Sequence, residues 1–225
     1  MFNHLTINFD FPKLEEVKVN GQRYYKVEND LFPSVTTILS IQNNEGLQKW
    51  RERMGEEVAN FESRRAANRG NGFHKICESY LNNQNISEYR KNVLSYGLFN
   101  LVKNEIERID NIHGLETTLH SAKYQMAGRT DCIAEFDGLL SIIDFKSANR
   151  PRAEDLLEKH AIQETAYAKM WEELTNIPIE QIVTIVACEN GDSQTVINKP
   201  TYFLKKLEEC IKEFQELEYS KKSLR

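Results

Sequence analysis

The stretch from Gly128 to Ser147 constrains the fold more than any other part of this chain. Two largely apolar runs, Gly128-Arg129-Thr130-Asp131-Cys132-Ile133-Ala134-Glu135-Phe136 and Leu139-Leu140-Ser141-Ile142-Ile143-Asp144-Phe145-Lys146-Ser147, flank Asp137-Gly138. That dipeptide is a strong signal for a two-residue hairpin, because its turn type requires positive φ. With a tight turn, Phe136 faces Leu139 and the pairs run outward at constant index sum. Asp131 then lies opposite Asp144, and Arg129 opposite Lys146, on one face with Cβ atoms about 5 Å apart. Asp144 and Lys146 also share that face, roughly 7 Å apart along their strand. Two carboxylates so close repel unless a cation lies between them, and oxygen ligands favour Mg²⁺ or Mn²⁺. The carboxylates would hold the ion while the lysine orients or deprotonates a water, an arrangement suited to metal-assisted hydrolysis. Glu16-Val17-Lys18 repeats the acid-x-lysine spacing but has no acidic partner at hairpin register.

The rest of the chain alternates helical and strand patterns. A first hairpin is expected over 14–27 around Asn20-Gly21, and Ser34 is placed to cap a short helix. A helix from about 46 to 67, containing Trp50, should end at Gly70-Asn71-Gly72, and another should run from Phe73 to Leu81. The glycine break would free backbone N–H groups at a helix N-terminus, a favourable place for an anion. His74 and Glu78 share a face there. Ser87 can cap a long amphipathic helix to Ile112. Strands follow at 115–124, 128–136 and 139–146, then a helix over 153–174, a strand over 182–187, and a last helix over 202–219 opened by Pro200, before a basic tail. We expect a single α/β domain: residues 1–69 as a hairpin and helical arch, 70–200 as the core, and 201–225 as a C-terminal helix.

Composition narrows the class. The chain has 225 residues, enough for one sizeable core. No apolar run approaches the ~20 residues of a membrane span, and the N-terminus lacks the pattern of a signal or transit peptide, so a cytoplasmic protein is expected. Cysteines at 77, 132, 188 and 210 form no C-x-x-C, which argues against a zinc or iron–sulfur site and for buried, reduced thiols. The net charge is −5, yet residues 49–75 carry seven Lys/Arg against four Glu. By itself this local excess reads as a solvated helix face with i,i+4 pairs. With a nucleic acid as partner, Arg51, Arg64, Arg65 and Arg69 become candidate phosphate contacts and Tyr167 and Trp50 candidate stacking surfaces, Trp50 being equally placed as core.

The ordered set Gly72-x-His74, Asp131, Asp144-x-Lys146 and Gln163-x-x-x-Tyr167 resembles the RecB-type nucleases of the PD-(D/E)XK superfamily. Pro33-Ser34-Val35-Thr36, Leu47-x-x-Trp50-x-x-Arg53-Met54 and Arg69-Gly70-x-x-x-His74 are similar to the mitochondrial genome maintenance exonucleases and related phage or bacterial enzymes. The likeness spans about residues 33 to 170. It implies a restriction-endonuclease-like core with a small mixed sheet flanked by helices, and a helical N-terminal portion. By the same resemblance His74, Asp131, Asp144 and the Phe145 carbonyl ligate metal, and Lys146 is the catalytic lysine. Gln163 and Tyr167 position DNA and the lysine, Ser34 and Thr36 join the nucleic-acid contacts, and Glu116 stands where some members carry an acid. The iron–sulfur members' cysteine pattern is absent, so no cluster is expected, and the lack of a transit-peptide pattern leads us to expect a phage or bacterial source.

The implied activity is Mg²⁺- or Mn²⁺-dependent exonucleolytic hydrolysis of single-stranded DNA ends in replication, repair or recombination. Replication or recombination proteins are the expected protein partners, with no membrane and no small-molecule cofactor. The alternatives are a non-catalytic module that binds single-stranded DNA or flaps, a structure-specific endonuclease, and an RNA-processing nuclease.

Overall fold

A computed structural model describes residues 1–5 and 9–223. Three antiparallel strands, β1 (Glu15–Val19), β2 (Gln22–Val27) and β3 (Asp30–Pro33), form a small sheet, with the expected hairpin at Asn20-Gly21. Ser34 caps α1 (Val35–Leu39), its hydroxyl accepting the Thr37 N–H at 3.0 Å. Helices α2 (Asn44–Met54), α3 (Glu56–Leu81) and α4 (Val93–Ile106) follow. The main sheet holds β4 (Ile109–Ser121), β5 (Met126–Phe136), β6 (Leu139–Ala148), β7 (Gln181–Cys188) and β8 (Ser193–Asn198) in that spatial order. Helix α5 (Glu154–Thr175) connects β6 to β7, the one parallel pair, and α6 (Leu204–Ser223) closes the described chain. This is the expected α/β class with a small mixed sheet.

Alternation along the strands explains the layering. Ile133, Ile142 and Ile182 face one side and pack with Ala166, Trp171 and Phe214 from α5 and α6. Their neighbours Cys132, Ile143 and Val183 face the other side and pack with Phe73, Phe99 and Val102 from α3 and α4. A sheet covered on both faces gives each strand two apolar faces, as the fully buried β7 shows. All four cysteines are buried and free, as expected.

Several expectations fail for definable reasons. The helix break lies at Gly55, whose φ of +79° a side chain would resist. Gly70-Asn71-Gly72 instead lies inside α3, so no freed helix N-terminus and no anion site exist there. Gly72 serves packing: a Cβ at this position would collide with Ser95 Oγ and lie 2.9 Å from Asn92 Nδ2 at the start of α4. The boundary drawn between 69 and 70 thus crosses a continuous helix. The long helix expected from Ser87 to Ile112 is a 3-10 turn (Ser87–Lys91) plus α4, capped by Asn92. Ile109 and Ile112, which extend the helical spacing, are strand residues of β4. Strand β8 was not anticipated, and Pro200 opens a 3-10 turn ahead of α6. The end of the basic tail and the side chain of Leu47 lie outside the described residues.

Candidate active site

Asp137 (φ +53°) and Gly138 (φ +79°) make the predicted turn, and the β5–β6 register runs from Phe136↔Leu139 to Cys132↔Ile143. The ladder ends there. Asp131 does not pair across from Asp144; its Oδ2 accepts the Phe145 N–H at 2.9 Å. Two opposed buried carboxylates would repel, and parting the strands spends the freed N–H on one of them. Arg129 is likewise not opposite Lys146. It pairs in register with Thr118 on β4, and its Nε lies 3.0 Å from Glu116. Asp144 and Lys146 do share a face and form an ion pair, with Asp144 2% exposed.

Three elements converge on Asp131. His74, two turns from the C-terminal end of α3, sets Nδ1 3.3 Å from Asp131 Oδ2. Glu116 stands between the pairs Leu115↔Cys132 and Thr117↔Thr130, and hence at the level of Asp131, with φ +49°. That conformation is uncommon for a non-glycine residue within a strand and turns its side chain toward the site. One donor atom each from His74, Glu116 and Asp131 lies within 4.8 Å of the others. The Asp144–Lys146 pair adjoins this triad through Phe145.

The groups of the cluster shift one another electrostatically. Burial raises the Asp131 carboxyl, but His74 and Lys146 outweigh it and hold the group below its ordinary range. Burial pushes Asp144 and Glu116 up, and Asp131 adds to both. For His74 and Lys146 burial acts downward, and the carboxylates beside them overcome it, so both are raised. Three carboxylates thus gather at this end of the sheet, Glu116 beside Arg129, Asp144 beside Lys146 and Asp131 beside His74. One nitrogen and several carboxylate oxygens are a donor set that fits a divalent ion such as Mn²⁺ or Mg²⁺.

Helix α5 presents His160, Gln163, Glu164 and Tyr167 at helical spacing toward this sheet end. Gln163 Nε2 donates to Tyr167 Oη at 3.1 Å. Tyr167 is 3% exposed, so its ring is not available for base stacking. Sequence reasoning passed over Glu164 and His160, although the i, i+3, i+4 spacing around Gln163 could have flagged them. Glu164, fully buried, accepts from Thr184 Oγ1 at 2.5 Å, and Thr184 lies beside Asp144 in register. Burial, followed by Asp144, drives its carboxyl well above the usual range. Burial and then the charges of Lys146 and Arg152 push His160 down to about 3, and its Nε2 is buried without a hydrogen-bond partner.

The expected phosphate contacts scatter. Arg51 donates to Asn60 at 2.6 Å. Arg65 pairs with Glu62 at 3.3 Å and with Glu189. Arg69 is buried, donating to Ser147 Oγ at 3.2 Å, to Asn149 and to Glu189, so its guanidinium is engaged within the protein. Arg64 remains exposed on α3. Ser34 is 2% exposed and occupied as a helix cap, whereas Thr36 beside it is exposed. Trp50 is half-buried and lines a cavity beside α3.

No family model matches the chain. It is 27% identical over 135 residues to human mitochondrial genome maintenance exonuclease 1, covering 56% of this chain and 39% of that protein. The Xenopus tropicalis protein of the same name is 28% identical over 153 residues, 64% of this chain and 43% of its own length. The mouse protein of that name is 27% identical over 134 residues, 56% of this chain and 40% of its own. The expected resemblance to the mitochondrial genome maintenance exonucleases is therefore borne out. The chain spans about two fifths of the length of these relatives. Their name places them with the mitochondrion and lends the expected phage or bacterial source no support. No helix among the described residues is long and apolar enough to cross a membrane.

Proposed function

We propose that this chain is a metal-dependent DNA exonuclease of the PD-(D/E)XK type, acting on single-stranded ends in DNA replication, repair or recombination. One observation carries the reading: His74, Glu116 and Asp131 meet within 4.8 Å, beside the Asp144–Lys146 ion pair, at the end of the β5–β6 hairpin. The likeness to proteins named as genome maintenance exonucleases supports DNA as the substrate and ends as the point of attack.

His74, Glu116 and Asp131 would hold Mg²⁺ or Mn²⁺, joined by Asp144 and the Phe145 carbonyl. Such an ion supplies Lewis-acid charge to a phosphate oxygen and makes a water a better nucleophile. Lys146 stays an ammonium at neutral pH, raised by Asp144 and Asp131 despite its burial. It would orient the attacking water and offset charge on the phosphoryl oxygens. Asp144 holds Lys146 in place. The Gln163–Tyr167 hydrogen bond joins two groups of α5 at the sheet end, where they would position the DNA and the lysine. The phosphates ahead of the reacting one fall to exposed basic groups such as Arg64.

The test is degradation of end-labelled linear and circular single-stranded DNA in Mg²⁺, Mn²⁺ or EDTA, with Lys146→Ala beside the unaltered protein. The reading expects metal-dependent loss of linear strands only, reduced at least 100-fold in the variant. Binding without cleavage would replace the exonuclease with a single-strand-binding module. Cutting of circles would make it an endonuclease.

A further inference from the structure

The cavity beside the active site has a composition that the reaction centre does not use. It holds about 760 Å³ between α2, α3 and the segment linking β6 to α5. That is the size of a small-molecule site and far more than a lone phosphate needs. One wall is apolar, with Trp50, Met54 and Leu156. The other carries Arg69, Arg150 and Arg152 against a single acid, Glu62, which itself lies 3.3 Å from Arg65.

The three guanidiniums differ in what they are free to do. Arg69 is saturated by Ser147, Asn149 and Glu189. Arg150 is exposed and makes no hydrogen bond or ion pair among the described residues. Arg152 donates one nitrogen to the Ser147 carbonyl at 3.3 Å, while its Nε is buried with no partner. Burial and then the nearby Arg69 charge lower the Arg152 pKa, so like charges already crowd this wall. An unpaired buried donor beside a second cation is costly unless an anion arrives to satisfy both. Ser147 follows Lys146 directly, so the Arg152 contact ties this wall to the reacting end of β6.

We infer that the cavity is a nucleotide subsite: it takes the single-stranded DNA residue next to the cleaved bond, its base against Trp50 and its phosphate on Arg150 and Arg152. The inference rests on the nuclease reading and assigns the phosphate contact to Arg150 and Arg152 rather than to Arg65 and Arg69, which are engaged within the protein. Base stacking on an aromatic ring tolerates any sequence, as an enzyme that digests ends requires.

The experiment is fluorescence anisotropy of a labelled oligothymidylate in EDTA across a KCl series, so that binding is read without chemistry. Arg150→Ser and Arg152→Met should each lower the slope of log affinity against log salt by about 0.7, the loss of one single-strand phosphate contact. Trp50→Ala should weaken the intact strand about tenfold and a strand of abasic residues far less. Arg150 has no partner to lose, so its variant should keep the thermal midpoint of the unaltered protein. Lys205→Ser, an exposed charge on α6, serves as the control for charge alone. Unchanged slopes in both arginine variants, an equal drop in Lys205→Ser, or equal Trp50→Ala losses on intact and abasic strands would each overturn the subsite. Absence of both oligonucleotide binding and metal-dependent cleavage in the unaltered protein would sink the nuclease reading itself.

Discussion

Helix α3 is one continuous helix in two environments. From Glu56 to Asn68 only Ala59 is buried, and apolar Val58 and Phe61 stand in solvent. From Arg69 to Leu81 the same helix buries Phe73, Ile76, Cys77 and Leu81 against the sheet and carries His74 into the site. The inner half can hold reacting groups because packing fixes each rotamer, and desolvation strengthens every charge contact there. The outer half, with α2, reaches over a cavity and keeps its charges accessible. Position is decided where the chain is buried, and reach where it is not. The junction is Arg69, the first residue of the buried half, clamped with Arg65 onto Glu189 at the end of β7.

The division can be attacked from both halves. Trp171, fully buried behind the sheet, should cost about 3–5 kcal/mol when cut to Ala, measured by urea unfolding. A cost below about 1 kcal/mol would mean the core behind the site is not close-packed. Glu189→Gln removes the carboxylate of the clamp and should cost about 2 kcal/mol, between exposed and buried pairs, and speed proteolysis within 55–68. A change under about 0.5 kcal/mol would show that the outer half is not anchored there.

His160 sharpens the comparison by pH. Its folded-state pKa, depressed to about 3 against an ordinary 6.5, means the unfolded chain binds the proton first as pH falls. Its contribution is therefore fully present above 6.5 and is lost progressively from about 6.5 down to 3. Between pH 7 and 5 this amounts to about 2 kcal/mol, by the linkage of 1.36 kcal/mol per pH unit. The urea midpoint of His160→Gln should fall correspondingly less over that interval; parallel curves for the two proteins would refute the assignment. The smallest effect belongs to Phe61→Ala. Although the residue is a large aromatic, it is 58% exposed and should change stability by no more than about 0.5 kcal/mol. A larger loss would place the outer half of α3 in a packed environment.

Much of the centre was legible in the chain because it depends on short-range rules. The Asp137-Gly138 turn set the register of β5 and β6, and the period of two put Asp144 and Lys146 on one face. The helical spacing of Gln163 and Tyr167 was enough to pair them. The register argument failed one pair short of its goal, at Asp131, whose carboxylate takes the Phe145 N–H instead of lying opposite Asp144. Glu116 had only a loose place, because nothing local announces a strand residue at φ +49°.

The amino-acid sequence by itself determined the hairpin, its register, the α5 stripe and the alternation that covers the sheet on both faces, since turn chemistry and side-chain period act within a few residues. Tertiary structure alone decided that Gly72 packs rather than breaks a helix, that Glu116 joins His74 and Asp131, and that Arg65 and Arg69 are held by Glu189. Each of those outcomes turns on which distant group approaches and how far water is excluded, and the strength of a charge contact depends on both.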